Sequence, residues 1–138
     1  MSDLSRIGVA IDSDLLKKFD RLITSRGYSN RSEAFRDLIR DELVRETWEQ
    51  PDSTVVGTVT LVYSHHVRLL NEKLTDMQHS HFHHVLSTMH VHLDHDNCLE
   101  VLVVKGKASM VKKLADALIS TKGVKHGRLT LTSTGAGL

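Results

Sequence analysis

The feature that most constrains this chain is a single short strand at the start of its first fifty residues. Along residues 6–11 apolar residues alternate with charged or small ones, and three share one face: Ile7, Val9 and Ile11. Alternation with a period of two predicts a half-buried strand. A lone strand leaves its backbone hydrogen-bonding groups unsatisfied. We therefore expect this segment to pair with the same segment of a second copy.

Two helices are predicted after the strand. Residues 12–14 offer an N-cap for the first helix, and Gly27 is a natural stop. Ser29 or Asn30 caps the second helix, with Glu33 placed for a capping box if Asn30 is the cap. A strand and two helices bury too little surface to be stable alone, which again predicts a dimer.

A polar segment around Pro51 separates this part from the rest of the chain. We predict a first domain over residues 1–49, a linker over 50–53, a second domain over 54–134 and a tail over 135–138. In the second domain, strands are predicted at 55–63, 84–93, 98–105 and 124–132. Helices are predicted at 65–79 and 108–121. This order is the ferredoxin-like βαββαβ arrangement, so the predicted fold class is α+β.

The composition excludes several classes of function. The net charge is only +1, and residues 1–49 hold 9 Lys or Arg against 10 Asp or Glu, so any DNA binding must come from the placement of charge. A single cysteine excludes an internal disulfide. We expect no secretory signal, since residues 1–6 lack an apolar core, and no apolar run reaches the roughly 18 residues that a membrane span needs. We expect a cytoplasmic protein that does not enter a membrane.

The second domain contains a candidate metal site, because nine of the ten histidines and the only cysteine lie between residues 65 and 98. His90 and His92 are two apart and project from one face of a strand. If a five-residue loop follows, Cys98 lies opposite His92 and Glu100 opposite His90; a four-residue loop would separate the ligands. Two imidazoles and a thiolate suit a borderline transition metal. Glu100 can orient an imidazole through its other nitrogen.

These motifs together resemble a known family. Arg6–Ile11 and Gly27–Ala34 resemble the ribbon-helix-helix repressors. Joined to His90-Val91-His92 and Cys98, they resemble the nickel-responsive transcriptional regulators of that family, over nearly the whole chain. The resemblance implies a dimerising ribbon-helix-helix domain, an ACT-like metal-sensing domain and a homotetramer. It also implies a repressor that binds double-stranded operator DNA when it binds nickel.

The resemblance further implies the metal and its fourth ligand. One Ni²⁺ per chain is expected, with His79 supplied by another subunit. His81, His83 and His84 lie close by in sequence, so the residues themselves leave the choice of fourth ligand open. Cu²⁺ would also fit a planar site of three imidazoles and one thiolate, and by affinity it would bind more tightly.

A two-stranded ribbon fits the major groove of DNA, with Arg6, Gly8 and Ala10 facing the base edges. Family members usually carry polar side chains at the positions of Gly8 and Ala10, so here only Arg6 can hydrogen-bond a base. Ser29 and Asn30 open the second helix, whose free N–H groups suit a phosphate. The resemblance suggests a further phosphate contact from Arg68.

The resemblance also suggests a second cation site at Glu33 and Asp37, which share a helix face; a solvated acidic face is the alternative. For His65 and His66 the alternatives are contacts to metal or DNA and plain surface exposure. We predict no enzymatic activity, because Cys98 belongs to no evident catalytic arrangement. Two other functions stay open: a nickel or copper storage or delivery protein, and a metal-independent antitoxin-like repressor.

Overall fold

The computed structural model describes residues 3–66, 68–81 and 83–138, and the side chains of residues 68–71 also lie outside the description. The chain divides into two compact units, of which the first ends at Asp41 and the second runs from Glu42 to Leu138. No helix in the described ranges combines the length and the apolar character required to cross a membrane.

The first unit contains two helices, α1 (Ser13–Ser25) and the larger part of α2 (Arg31–Glu49). Residues 3–12 have no regular secondary structure, so the strand predicted at residues 6–11 is not observed in the single chain. A strand is defined by backbone hydrogen bonds to a neighbouring strand. The predicted neighbour is a second copy of the chain, and the paired ribbon stays a prediction.

The ends of both helices are capped as their sequences predict. The Asp12 side chain accepts a hydrogen bond from the backbone N–H of Asp14 at 3.1 Å. Gly27 has a φ of +86°, a left-handed conformation that favours glycine after a helix. The backbone N–H of Glu33 donates to Asn30 Oδ1 at 2.9 Å. The N-cap of α2 is therefore Asn30 rather than Ser29.

Two contacts join α1 to α2 within the first unit. The rings of Phe19 and Phe35 stack with centroids 5.1 Å apart. The Arg31 guanidinium donates to both carboxylate oxygens of Asp20, each at 2.8 Å. This hydrogen-bonded ion pair lowers the pKa of Asp20 below its ordinary value. Because both side chains are exposed, it adds modestly to stability.

The second unit contains a four-stranded antiparallel sheet in the order β2-β3-β1-β4. The elements are β1 (Thr54–Ser64), α3 (Arg68–Ser80), β2 (Val85–His92), β3 (Asn97–Lys107), α4 (Ala108–Ile119) and β4 (Val124–Thr132). The predicted βαββαβ order and the α+β class are confirmed. The predicted helix start at residue 65 is wrong, since α3 begins at Arg68. The backbone N–H of His65 instead donates to Asp96 O at 3.2 Å, beyond the end of β1.

The core of the second unit lies on one face of the sheet. Alternate residues of β1 and β3 are buried there, and α4 packs across β1, β3 and β4. The end of α2 joins this core through Trp48, whose indole N–H donates to Thr132 O at 2.8 Å. A Cβ at Gly57 would lie 3.2 Å from the Trp48 ring, so glycine allows this close approach. The last turns of α2 therefore belong to the second unit.

Candidate metal centre

The three adjacent strands β2, β3 and β1 align the candidate ligands on one face of the sheet. His92 lies directly opposite Cys98, and His90 directly opposite Glu100. This is the register that a five-residue loop predicts. On the other side of β3, Tyr63 of β1 also lies opposite Cys98. Since directly opposed residues share a face, these side chains form two neighbouring rows across the sheet.

The closest group of possible ligands consists of His65, His92 and Cys98, which we term the inner cluster. One ligand atom from each lies within 4.8 Å of the others. His92 Nδ1 is 3.5 Å from Cys98 Sγ, and the rings of His65 and His92 are 5.3 Å apart at a near-perpendicular angle. Two imidazoles and a thiol this close fit a borderline transition metal.

Two members of the inner cluster, His65 and Cys98, have surroundings that favour their neutral forms. Burial raises the pKa of the Cys98 thiol, and the carboxylates of Glu100 and Asp94 raise it further. Burial lowers the pKa of His65, and the neighbouring His66 and His92 lower it further. A neutral imidazole is ready to bind a metal, whereas the thiol must first release its proton.

His90 lies beside the inner cluster and is held by a chain of hydrogen bonds. The Tyr63 hydroxyl donates to Glu100 Oε2 at 2.8 Å and lies 3.3 Å from His90 Nδ1. Because the one hydroxyl hydrogen goes to Glu100, the contact to His90 requires its Nδ1–H to donate to the phenol oxygen. The Nε2 lone pair of His90 then stays available for a metal.

Glu100 lies at the buried centre of this series of hydrogen bonds, and only 6% of its surface is exposed. Gln78 Nε2 donates to Glu100 Oε1 at 2.7 Å, so both carboxylate oxygens accept hydrogen bonds. The expectation that Glu100 orients an imidazole is modified here, because Tyr63 stands between Glu100 and His90. Burial and the bond to Glu100 raise the pKa of Tyr63, which keeps its hydroxyl protonated.

The inner cluster includes one residue that sequence reasoning did not assign. His65 is predicted at the start of a helix, but the structure keeps it beside the sheet. A signal exists in the sequence, since Tyr63 and His65 are two apart and share a face of an extended chain. Using that signal requires the register of β1 against β3, which places Tyr63 opposite Cys98. When two strands are far apart in sequence, as β1 and β3 are, the local sequence does not indicate the register in which they pair.

Three further histidines of this region, His79, His81 and His84, lie outside the inner cluster. His81 Nδ1 is 2.8 Å from Met77 O, and His84 Nδ1 is 3.3 Å from Lys105 O, so these two rings contact the backbone. His79 is exposed in the last turn of α3. Neither three-residue ligand group found among the described residues contains it. Its role as the fourth ligand stays a prediction.

The predicted DNA-contacting residues of the first unit are all exposed: Arg6, Gly8, Ala10, Ser29 and Asn30. The side chain of Arg68 lies outside the described residues. These positions therefore stay predictions.

The carboxylates predicted as a second cation site have other partners. The Tyr28 hydroxyl donates to Asp37 Oδ2 at 2.6 Å, which raises the pKa of Tyr28. Arg40 lies 3.5 Å from the same carboxylate. The Ser29 hydroxyl donates to Glu33 Oε2 at 3.4 Å. A cation at this site would have to compete with these neutral and positive partners.

Comparison with known proteins gives matches to both parts of the chain. Residues 56–132 match the model described as NikR C terminal nickel binding domain. Residues 5–46 match the model described as Ribbon-helix-helix protein, copG family. The chain belongs to the nickel-responsive regulator family. The family resemblance inferred from the sequence is thereby confirmed.

Relatives in three bacteria match nearly end to end, and each is named "Putative nickel-responsive regulator". The protein of Solibacter usitatus is 78% identical and covers 99% of this chain and 98% of its own length. Those of Geobacter sulfurreducens and Geobacter metallireducens are 62% and 61% identical, each over 98% of this chain and 97% of its own length. Such names and domains are those of a regulator, as predicted, and not of an enzyme.

Proposed function

We propose that this nickel-responsive regulator is a repressor that binds operator DNA when Ni²⁺ is bound at His90, His92 and Cys98. His79 of another subunit completes the site in a homotetramer with one ion per chain. The observation that carries the proposal is the 3.5 Å approach of His92 Nδ1 to the buried Cys98 Sγ, in a register that brings His90 alongside. A buried cysteine can pack as a small apolar side chain, but imidazoles placed beside its thiol give it the partners that a borderline transition metal requires.

The surroundings of the site support selective metal binding. By intrinsic affinity Cu²⁺ exceeds Ni²⁺ at a site of nitrogen and sulfur ligands, so selectivity depends on the geometry that the protein imposes. The hydrogen bonds from Tyr63 and Gln78 to Glu100 fix these side chains next to His90 and Cys98, and they form without a metal. Such outer partners fix the orientation of ligating imidazoles. When bound, Ni²⁺ would supply a cross-link between the β2–β3 hairpin and a second subunit.

The first unit supplies the DNA-binding part of the proposal. Paired ribbons would present Arg6 to the base edges, with the small Gly8 and Ala10 beside it. Ser29 and Asn30 at the start of α2, and Arg68, would contact phosphates. A metal that binds one quaternary state better shifts the population toward it, and by linkage DNA then tightens metal binding. A repressor of genomic DNA acts in the cytoplasm, and that location is part of the proposal.

The proposal is tested by measuring metal and DNA binding together. Purified apo-protein is titrated with Ni²⁺, and its binding to DNA upstream of its own gene and of nearby transporter genes is measured at one salt concentration. We expect a thiolate-to-metal charge-transfer absorption, release of the Cys98 proton, and tighter DNA binding with Ni²⁺. In Cys98→Ala all three should be lost. His126→Ala, which removes an exposed histidine of β4, should retain them.

Two results would contradict the proposal in different ways. An unchanged Ni²⁺ affinity and spectrum in Cys98→Ala would exclude the site. Normal Ni²⁺ binding with no effect on DNA binding would exclude the regulatory link and favour storage or delivery of the metal.

A further inference from the structure

The predicted linker after α2 is held in place by the N-terminus of α4. The first N–H groups of an α-helix have no partner within the helix, and the side chain of the N-cap residue Lys107 has no acceptor to offer them. Two linker carbonyls accept these bonds instead. The N–H of Ala108 donates to Ser53 O at 2.9 Å, and that of Ser109 donates to Pro51 O at 3.1 Å. The linker is therefore a fixed part of the second unit and not a free connection.

A complementary bond is found at the C-terminal end of α2. The last carbonyl groups of a helix also lack partners within the helix, and they carry partial negative charge. The Lys112 ammonium of α4 donates to Trp48 O at 2.9 Å, so one of these carbonyls is satisfied by a positive charge. The two helices thus cap each other, because α4 supplies a cation to the end of α2 and the segment after α2 supplies carbonyls to the start of α4.

Trp48 fixes the same turn of α2 through its side chain. Only 1% of its surface is exposed, and its indole N–H donates to Thr132 O at 2.8 Å. The ring also lies close against β1 at Gly57. One residue is therefore bonded to α4 through its backbone and to β4 through its side chain. We term the contacts of Trp48 and the linker with α4, β1 and β4 the α2 anchor.

The helix that the α2 anchor holds is shared by the two units. It is continuous from Arg31 to Glu49, so it begins in the first unit and ends in the second. Coupling between distant sites is carried by packed side chains, hydrogen bonds and rigid secondary-structure elements. The candidate DNA contacts belong to the first unit and the candidate metal ligands to the second. The anchored end of α2 is therefore where a change in the second unit can act on the first.

We propose that the α2 anchor transmits the metal-bound state of the second unit to the DNA-binding unit, with Lys112 and Trp48 as its positioning residues. The inference rests on the proposed function, since it requires DNA binding that responds to Ni²⁺. An anchored helix limits the positions that the first unit can take, so a quaternary state selected by the metal also selects a spacing of the ribbons. A loosened anchor would let the ribbons sample many spacings, and the metal would then tighten DNA binding less.

The anchor is tested by comparing DNA binding with and without Ni²⁺ in full-length wild type and Lys112→Met, at one salt concentration. Methionine keeps an unbranched apolar side chain and removes the ammonium donor. We expect Lys112→Met to keep the Ni²⁺ affinity and the charge-transfer band of wild type. Its gain in DNA affinity on adding Ni²⁺ should fall by roughly 2- to 30-fold, the range typical of residues that carry coupling between sites.

Two further variants separate the anchor from the charge of Lys112. Lys113→Met is the matched control, because it removes the same charge from the exposed neighbouring position of α4 and should behave as wild type. Lys112→Arg restores a cationic donor and should recover most of the gain. Loss of the gain in Lys113→Met as well would assign the effect to net charge and contradict the proposal.

The anchor also has its own spectroscopic probe, because Trp48 is the only tryptophan in the sequence. Quenching of its fluorescence by acrylamide should be weak in wild type and stronger in Lys112→Met. Trp48→Phe keeps an aromatic ring but lacks the donor to Thr132 O, and its Ni²⁺-induced gain in DNA affinity should fall in the same way. Strong quenching of Trp48 in wild type would show that the anchor does not form in solution and would overturn the proposal.

The remaining outcomes distinguish this inference from the proposed function. The inference is overturned if wild type responds to Ni²⁺ and both Lys112→Met and Trp48→Phe keep the full gain, even if their free energy of unfolding is lower. The anchor would then only stabilise the fold. If wild type itself binds DNA equally with and without Ni²⁺, the proposed function fails, and the inference fails with it.

Discussion

The two units of this chain differ in how far their apolar side chains are exposed. Within residues 3–41 only Ile23 and Ala34 are buried, whereas Ile7 is 81% and Val9 is 60% exposed. The second unit instead contains a continuous cluster of buried side chains, of which Leu61 and Leu102 are fully enclosed. An exposed apolar face costs free energy unless another surface covers it. The second unit therefore forms a core of its own, and we expect the first to cover its apolar face with a second copy.

The same difference extends to the functional residues. The candidate DNA-contacting side chains of the first unit lie on exposed backbone without regular structure. Three candidate metal ligands of the second unit, His90, His92 and Cys98, lie on strands that are paired within a single chain. We therefore expect metal binding to depend on the internal order of the second unit, and DNA binding to depend on association of the first.

The largest expected effect comes from a charge on the exposed apolar face of the first unit. Ile7→Asp should abolish DNA binding, because a carboxylate buried between two ribbons is strongly unfavourable. The spectrum of bound Ni²⁺ should stay unchanged. Leu4→Asp is the matched control, since Leu4 is 90% exposed and lies before the predicted ribbon. Gel-shift and absorption measurements give both readouts, and DNA binding by Ile7→Asp at wild-type affinity would remove the case for a paired ribbon.

A cavity in the core of the second unit should give the next largest effect. Leu61→Ala should lower the free energy of unfolding by about 2–5 kcal/mol, because it leaves a hole beneath the central strand β1. Leu131→Ala on β4 should cost much less, since Leu131 is 41% exposed. Urea unfolding followed by circular dichroism measures both. Equal losses of unfolding free energy in the two variants would contradict the conclusion that this unit forms its core within a single chain.

Removing one hydroxyl group tests the hydrogen bonds behind His90. Tyr63→Phe should weaken Ni²⁺ binding by about tenfold, as expected when a partner that orients a ligating imidazole is lost. The charge-transfer band should persist, because Cys98 and His92 are unchanged. Competition with a chelator measures the affinity, and Tyr28→Phe in the first unit is the control. Wild-type affinity in Tyr63→Phe would show that His90 needs no such support.

The smallest expected effect is at the ion pair between α1 and α2. Asp20→Asn should lower the melting temperature slightly near neutral pH. The folded-state pKa of Asp20 is lowered, so its contribution is present above the ordinary carboxyl pKa of 3.8 and is lost as the pH falls through the folded-state value. Melting curves of the variant and the wild type should therefore converge in acid. A difference that persists there would assign the effect to packing instead of charge.

Much of the second unit could be predicted because its signals are local. The predicted strand and helix bounds lie close to those observed, and the β2–β3 register follows from the loop length between His92 and Cys98. The role of Tyr63 could not be predicted in this way. Its contact with His90 depends on β1 lying next to β3, and these strands are separated in sequence by a helix and a further strand.

The sequence by itself determined the placement of His90, His92 and Cys98 on one face of the sheet, because strand periodicity and a short loop act over a few residues. Only the tertiary structure decided that His65 joins the inner cluster and that His66 meets Asp96. The first contact joins the end of β1 to β2 and β3, and the second joins it to the loop between those strands, about thirty residues away in sequence. Contacts between residues so far apart in sequence depend on how the whole sheet packs, and no local sequence pattern specifies that packing.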